Sequence, residues 1–247
     1  MDRALYVAMT GAKQIMDAQA VNNHNIANIS TIGFRADAVS FDSAPIYGPG
    51  YATRVNAVAG DAGTNFSSGT MENTGRKLDI AVNGNGFIAV RGKDGQEAYT
   101  RAGDLRLTPE GALTTASGLA VLSDSGPIVL PPSTSVAIGS DGTISVVPQG
   151  SEPFAVTQTD RIKLVNPATS DLQKGNDGLL RMSNSSTKVK SDDSVSITSG
   201  ELESSNVNAA QSLISMIELQ RLYEFQVKSM NSTDTNEQAA ERLMLTS

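Results

Sequence analysis

Leu5, Met9, Ala12, Met16 and Ile26 recur with Gln19 and Asn23 at alternating steps of four and three, the spacing of a heptad seam. Ile15 and Ile29 widen that seam on one side. The pattern predicts a helix over residues 2–30, roughly 40 Å long at the usual rise per residue. It runs out in the stretch from Asn25 to Phe34, where Asn, Ser and Gly favour turns over helix. Gly33 is expected to take positive φ where the chain leaves the helix, because glycine alone enters that region without a Cβ penalty.

A second helix is predicted over residues 206–243, capped by an oxygen of Ser204, Ser205 or Asn206. Leu213, Ile214, Met216, Ile217, Leu219, Leu222, Tyr223, Phe225, Val227 and Met230 are apolar, and at about 100° per residue they surround nearly the whole helix. One partner helix covers one face only. Each large apolar side chain left wet forgoes roughly 1.5–3 kcal/mol, so other subunits are the simplest source of cover. The competing reading runs this helix through the core of the chain's own β domain.

Between the helices the period changes. Residues 34–77 are rich in Ala, Gly, Ser, Thr and Asn, with Pro45 and Pro49 discouraging helix, and read as an extended connector with a few short strands. Residues 78–203 alternate apolar and polar positions. Leu78–Val82 and Gly86–Arg91 read as a hairpin about Asn83-Gly84, and Val136–Ile138 and Thr143–Val147 as another about Asp141-Gly142. Glu97–Arg101, Leu119–Leu122 and Arg161–Val165 read as further strands, and glycines at 86, 95, 103, 111, 118 and 126 set an antiparallel rhythm. The expected fold class is α+β: terminal helices paired in a coiled-coil-like domain, and a central antiparallel sandwich or barrel-like domain. The expected boundaries are 1–33, 34–77, 78–203 and 204–247.

Composition narrows the chemistry. Hydrophobic residues make up 39% of 247 but aromatics only 4%, so burial rests on Ala, Val, Ile, Leu and Met. The net charge of −7 is nowhere offset by a basic face, which argues against nucleic acid or an anionic membrane as partner. Without cysteine there is no disulfide, thiolate catalysis or thiolate metal site. The opening residues never sustain the roughly 7–15 apolar residues of a cleaved leader, and no window reaches the roughly 18–20 of a membrane span.

No constellation reads as catalytic. His24 is the sole histidine, no Ser sits in a nucleophile elbow, and one imidazole cannot furnish a histidine metal cluster. Asn83-Gly84-Asn85-Gly86 lacks the Lys-Ser/Thr and following helix of a phosphate loop. Asp177, Asp192 and Asp193 lack EF-hand spacing and read as solvated loop charges. Glu201 and Glu203, two apart on a predicted strand, read as surface carboxylates sharing one face. Catalytic, cofactor and metal residues are all expected to be none, and the chain is not expected to be an enzyme.

Asn25-Ile26-Ala27-Asn28-Ile29-Ser30-Thr31-Ile32-Gly33-Phe34-Arg35 resembles the N-terminal signature of bacterial flagellar rod and hook proteins. Ser204-Ser205-Asn206-Val207-Asn208, with Met216-Ile217-Glu218-Leu219-Gln220-Arg221-Leu222-Tyr223-Glu224, resembles their C-terminal signature. Tyr99-Thr100-Arg101-Ala102-Gly103, Leu107-Thr108-Pro109-Glu110-Gly111 and Ser117–Leu122 resemble the β body of the longer rod members, so the likeness covers nearly the whole chain. Met1–Tyr6 and Asn22–Asn25 look more like the proximal-rod branch than the distal-rod branch. Phe225-Gln226 departs from the pattern, since relatives often carry a more polar residue there.

The resemblance implies a structural subunit of the flagellar basal-body rod that links small rod subunits to the distal rod and transmits torque. It implies export through the flagellar type III apparatus without a cleaved leader, location in the periplasmic rod, and contacts with other rod subunits and with copies of itself. Neither nucleic acid nor direct membrane insertion is expected. Leu5, Met9, Met16, Ile26, Gly33, Phe34, Ile214, Ile217, Tyr223 and Val227 are the expected subunit-interface residues. The alternatives are a distal-rod subunit or, from another class, a self-contained β-rich enzyme or carbohydrate-binding protein.

Overall fold

The computed structural model describes residues 3–45, 55–150, 156–184 and 189–245. Met1 and Asp2 of the opening motif, and Pro49 of the connector, lie outside them. The chain is α+β and divides into two compact units. No helix among the described residues is long and apolar enough to cross a membrane.

The first unit holds residues 1–29, 37–65 and 207–247. Its helices are α1 (Arg3–Ala27) and α2 (Ala209–Leu245). They run antiparallel, since Asn22 Nδ2 donates to Ser212 O at 2.9 Å while Gly11 lies against the Gln226 side chain. Strands β1 (Asp37–Pro45) and β2 (Val55–Thr64) form an antiparallel hairpin from the expected connector, and α1 packs on both.

On α1 the buried stripe is Ala8, Ala12, Ile15 and Ala18, so the intramolecular seam is offset from the expected one. Met9 and Met16 stand 54% and 56% exposed, and Asn23 is exposed. Small side chains explain the offset: three alanines let neighbouring backbone approach closely, where methionines at the same positions would hold it off. The cap of α2 differs too. Asn208 Oδ1 accepts from Gln211 N at 3.1 Å and Asn208 O from Ser212 N, so the helix starts after Asn208. Ser204 and Asn206, two of the expected caps, are engaged elsewhere.

The second unit holds residues 30–36 and 66–206. Its strands are β3 (Met71–Asn73), β4 (Ile80–Asn83), β5 (Phe87–Arg91), β6 (Glu97–Thr100), β7 (Leu105–Leu107), β8 (Leu113–Thr115), β9 (Ser133–Ile138), β10 (Thr143–Pro148), β11 (Thr157–Arg161), β12 (Leu164–Val165), β13 (Leu172–Lys174), β14 (Leu180–Met182), β15 (Ser196–Ser199) and β16 (Glu201–Glu203). The order β12-β5-β6-β14-β13 makes a five-stranded sheet and β11-β10-β9 a three-stranded one, with every pairing antiparallel.

Alternation on β5 serves two interiors at once. Ile88 and Val90 join Ile80, Leu105, Leu113 and Ile144 in the larger core, while Phe87 and Ala89 join Tyr99, Val165 and Leu180 in the smaller. Both faces of this strand are dry.

The hairpin at Asp141-Gly142 forms, joining β9 to β10. The one at Asn83-Gly84 does not: β4 pairs with β15, and β5 with β6 and β12. An inserted side chain accounts for this, because Arg101 donates to the carbonyls of Val82 and Gly84 and holds the turn open. Arg161–Val165 is split, with Arg161 ending β11 and Leu164 opening β12. Leu119–Leu122 makes isolated bridges from Ala120, Val121 and Leu122 instead of a strand.

Candidate assembly surfaces and a buried clasp

The apolar girdle of α2 remains uncovered over much of its length. Leu213, Ile214, Ile217, Leu222 and Phe225 are 53%, 51%, 53%, 51% and 67% exposed, and at 100° per residue they span about half the circumference. Tyr223 and Val227 lie half-buried on the covered side. On α1, Met9 and Met16 share an exposed stripe with Ala20 and Ala27, whereas Leu5 and Ile26 are half-buried. Tyr6, beside that stripe, is 51% exposed.

His24, set aside as a catalyst, does local work. Its Nδ1 lies 3.1 Å from Asp37 Oδ2, and the neighbouring Asn25 clamps the Asp37 backbone, donating to its carbonyl at 2.8 Å and accepting from its N–H at 2.9 Å. The Asn25 amide thereby satisfies both polar groups of one residue where the chain enters β1.

Gly33 and Phe34 sit inside the second unit. Gly33 has φ 67°, and a Cβ there would fall 2.3 Å from the carbonyl carbon of Arg101. Only glycine fits both the conformation and the space. Phe34 is 7% exposed, with Lys174 Nζ 3.9 Å above its ring centroid. That contact is a cation–π interaction within the chain.

Glu203 overturns its reading as a surface carboxylate. It is fully buried between two buried arginines, with Oε1 2.7 Å from Arg35 Nη1 and Oε2 3.0 Å from Arg101 Nη1. Gly69 N also donates to Oε1 at 2.9 Å, and Gly33 N to the Glu203 carbonyl at 2.7 Å. Burial pushes the Arg101 guanidinium below its ordinary range; Glu203 opposes that shift and Arg35 reinforces it. Three residues on, Asn206 donates its N–H to Phe34 O, accepts from Ala36 N at 2.7 Å and donates through Nδ2 to Ser67 O at 3.0 Å.

These bonds clasp residues 33–36 to residues 203–206. The two signature segments, distant in sequence, are thus stitched together around one carboxylate. Sequence offered a signal for half of this: Arg35 closes the first signature. Nothing in the spacing of Arg101 or Glu203 pointed to their meeting.

The comparisons agree with the geometry. A family model described as the flagellar hook protein FlgE/F/G D1 domain matches residues 81–146, and one described as the flagellar basal body rod FlgEFG protein C-terminal matches residues 198–243. The chain is 37% identical over 249 residues to the flagellar basal-body rod protein FlgF of Escherichia coli (strain K12), covering 99% of each. The figures are the same for FlgF of Salmonella typhimurium. The flagellar basal-body rod protein FlgG of Bacillus subtilis (strain 168) is 33% identical over 258 residues, covering 95% of this chain and 96% of the relative. The chain belongs to the flagellar basal-body rod protein family. Within that family it is a structural subunit of the basal-body rod, of the proximal, FlgF-like type.

Proposed function

We propose that this subunit links the small rod subunits to the distal rod and passes torque by packing alone, without turnover or cofactor. One observation carries the reading: five large apolar side chains on α2 stand more than half exposed. Covering each by a neighbour recovers roughly 1 kcal/mol, and the gain repeats in every copy along a rod.

On this reading α1 and α2 join those of other copies and other rod subunits in a coiled-coil-like layer. Leu5, Met9, Met16, Ile26, Ile214, Ile217, Tyr223 and Val227 meet neighbours, while Gly33 and Phe34 support them from within the chain. The β region, with dry cores on both faces of its largest sheet, acts as a sandwich or barrel-like body that distinguishes this subunit from its neighbours. The subunit reaches the periplasmic rod through the flagellar type III export apparatus without a cleaved leader.

The test replaces Ile217 and Phe225 by Glu in a strain lacking the chromosomal copy. Purified variant should keep its helicity, because both side chains are already wet, and cells should lose motility. Normal swimming would overturn the proposal, and imaging the subunit in isolated basal bodies would distinguish a proximal from a distal position.

A further inference from the structure

Two Asn-Gly steps follow one another at Asn83-Gly84 and Asn85-Gly86, and the chain has no others. With no Cβ to shield it, a glycine nitrogen reaches the side-chain amide of a preceding asparagine more easily than any other residue's does. The fold treats the two steps differently. Asn83 ends β4 with its amide held on both sides: Nδ2 donates to Ser196 Oγ at 3.3 Å, and Oδ1 accepts from Thr198 Oγ1 at 3.1 Å. Gly84 is fixed as well, because Arg101 donates to its carbonyl. Asn85 is exposed, and neither its side chain nor the Gly86 N–H has a hydrogen-bond partner among the described residues.

We infer that Asn85 is a site of spontaneous deamidation in the folded chain and that Asn83 is protected from it. The Gly86 nitrogen attacks Asn85 Cγ, and the new N–Cγ bond closes a cyclic imide. The side-chain amide leaves as ammonia, taking up the proton that the Gly86 nitrogen gives up. Water then opens one carbonyl of the ring or the other, yielding aspartate or isoaspartate. Gly86 is buried, and a Cβ on it would lie 2.7 Å from Val195 Cγ1, but the ring adds no atom to Gly86 and needs no such space. Either product adds a negative charge, and isoaspartate also inserts a methylene into the main chain. That methylene falls between Gly84, gripped by Arg101, and Phe87, which opens β5 in register with Val165. Both anchors cannot be kept at their present separation. Since β5 is dry on both faces, the bond from Arg101 to the Gly84 carbonyl is the one that yields.

The experiment ages the full chain at mildly alkaline pH and maps its peptides by mass spectrometry, with electron-transfer fragmentation separating isoaspartate from aspartate. Asn85 should convert roughly 10–100 times faster than Asn83, because only Asn83 must first break two hydrogen bonds. In urea the two rates should converge. Ser196→Ala combined with Thr198→Val removes the partners of Asn83 and should narrow the gap in the folded chain. Once isoaspartate has formed, losing the charged bond to Gly84 should speed hydrogen exchange at the Phe87 amide by about tenfold or more. An intact Asn85, equal rates at the two positions in the folded chain, a gap that persists in urea or in the double variant, or unaltered exchange after isoaspartate forms would each overturn the inference.

Discussion

Replacing Glu203 by Gln changes almost no volume and removes one charge from between Arg35 and Arg101. The carboxylate is fully buried, at 2.7 and 3.0 Å from the two guanidinium groups. At an effective dielectric near 20, each pair attracts by about 4 kcal/mol at a charge separation of roughly 4 Å. Desolvation of the three ions offsets much of this, yet removing a single partner strands the others, and such deletions cost about 3–5 kcal/mol. A domain holds only about 5–15 kcal/mol in total, so the loss is a large fraction of it. Native-state hydrogen exchange at the amides of Phe87–Arg91 reads the opening free energy of the β region directly. The companion triple variant, Arg35→Met, Glu203→Leu and Arg101→Met, removes all three charges; it also strips a partner from the Val82 and Gly84 carbonyls and from Gly69 N, yet with no charge left stranded it should be less destabilised than Glu203→Gln. A Glu203→Gln variant whose stability lies within about 1 kcal/mol of the parent would refute the charge argument, as would a triple variant no better than the single one.

Three further outcomes follow from local geometry. Gly33→Ala forces a Cβ into the left-handed region at about 1–2 kcal/mol and against the Arg101 carbonyl, so exchange at the same strand should show a loss of at least about 2 kcal/mol; an unchanged profile would contradict the fit. Asn25→Ala deletes a donor and an acceptor from the Asp37 backbone and should cost about 1–3 kcal/mol, read as a lower midpoint of helix melting by circular dichroism. Asp104 has its folded-state pKa raised chiefly by burial, so its contribution is complete at low pH and is lost as pH rises through the folded value. Asp104→Asn, which mimics the protonated form, should therefore melt above the parent at pH 7 and converge with it in acid; a gap that widens on acidification would reverse the assignment.

Much of the architecture is legible in local pattern because local physics sets it. Four-and-three spacing can only be a helix if it is to present one face, and glycine-punctuated alternation can only be short strands. Gly33 was readable for the same reason, since a glycine at a helix exit answers a backbone requirement. Partner choice is different. The Asn83-Gly84 pattern is that of a hairpin, but β4 finds β15 more than a hundred residues away, and nothing within ten residues of the turn encodes that. The offset of the α1 seam arises similarly: apolar spacing marks which positions could be inward, while the facing elements decide that Ala8 and Ile15 are, and that Met9 and Met16 are not.

Glu203 shows the boundary most sharply. A carboxylate between Leu202 and Ser204 on a short strand has every local mark of a solvated residue, because burying a charge is unfavourable unless cations arrive to meet it. Those cations come from Arg35 and Arg101, each more than a hundred residues earlier in the chain. Local pattern was enough for the α+β class, for two terminal helices with more apolar surface than one chain can cover, and for the signatures at either end. That those signatures meet became visible only in three dimensions, because ion pairing and desolvation depend on distances through space, which the order of residues along the chain does not contain.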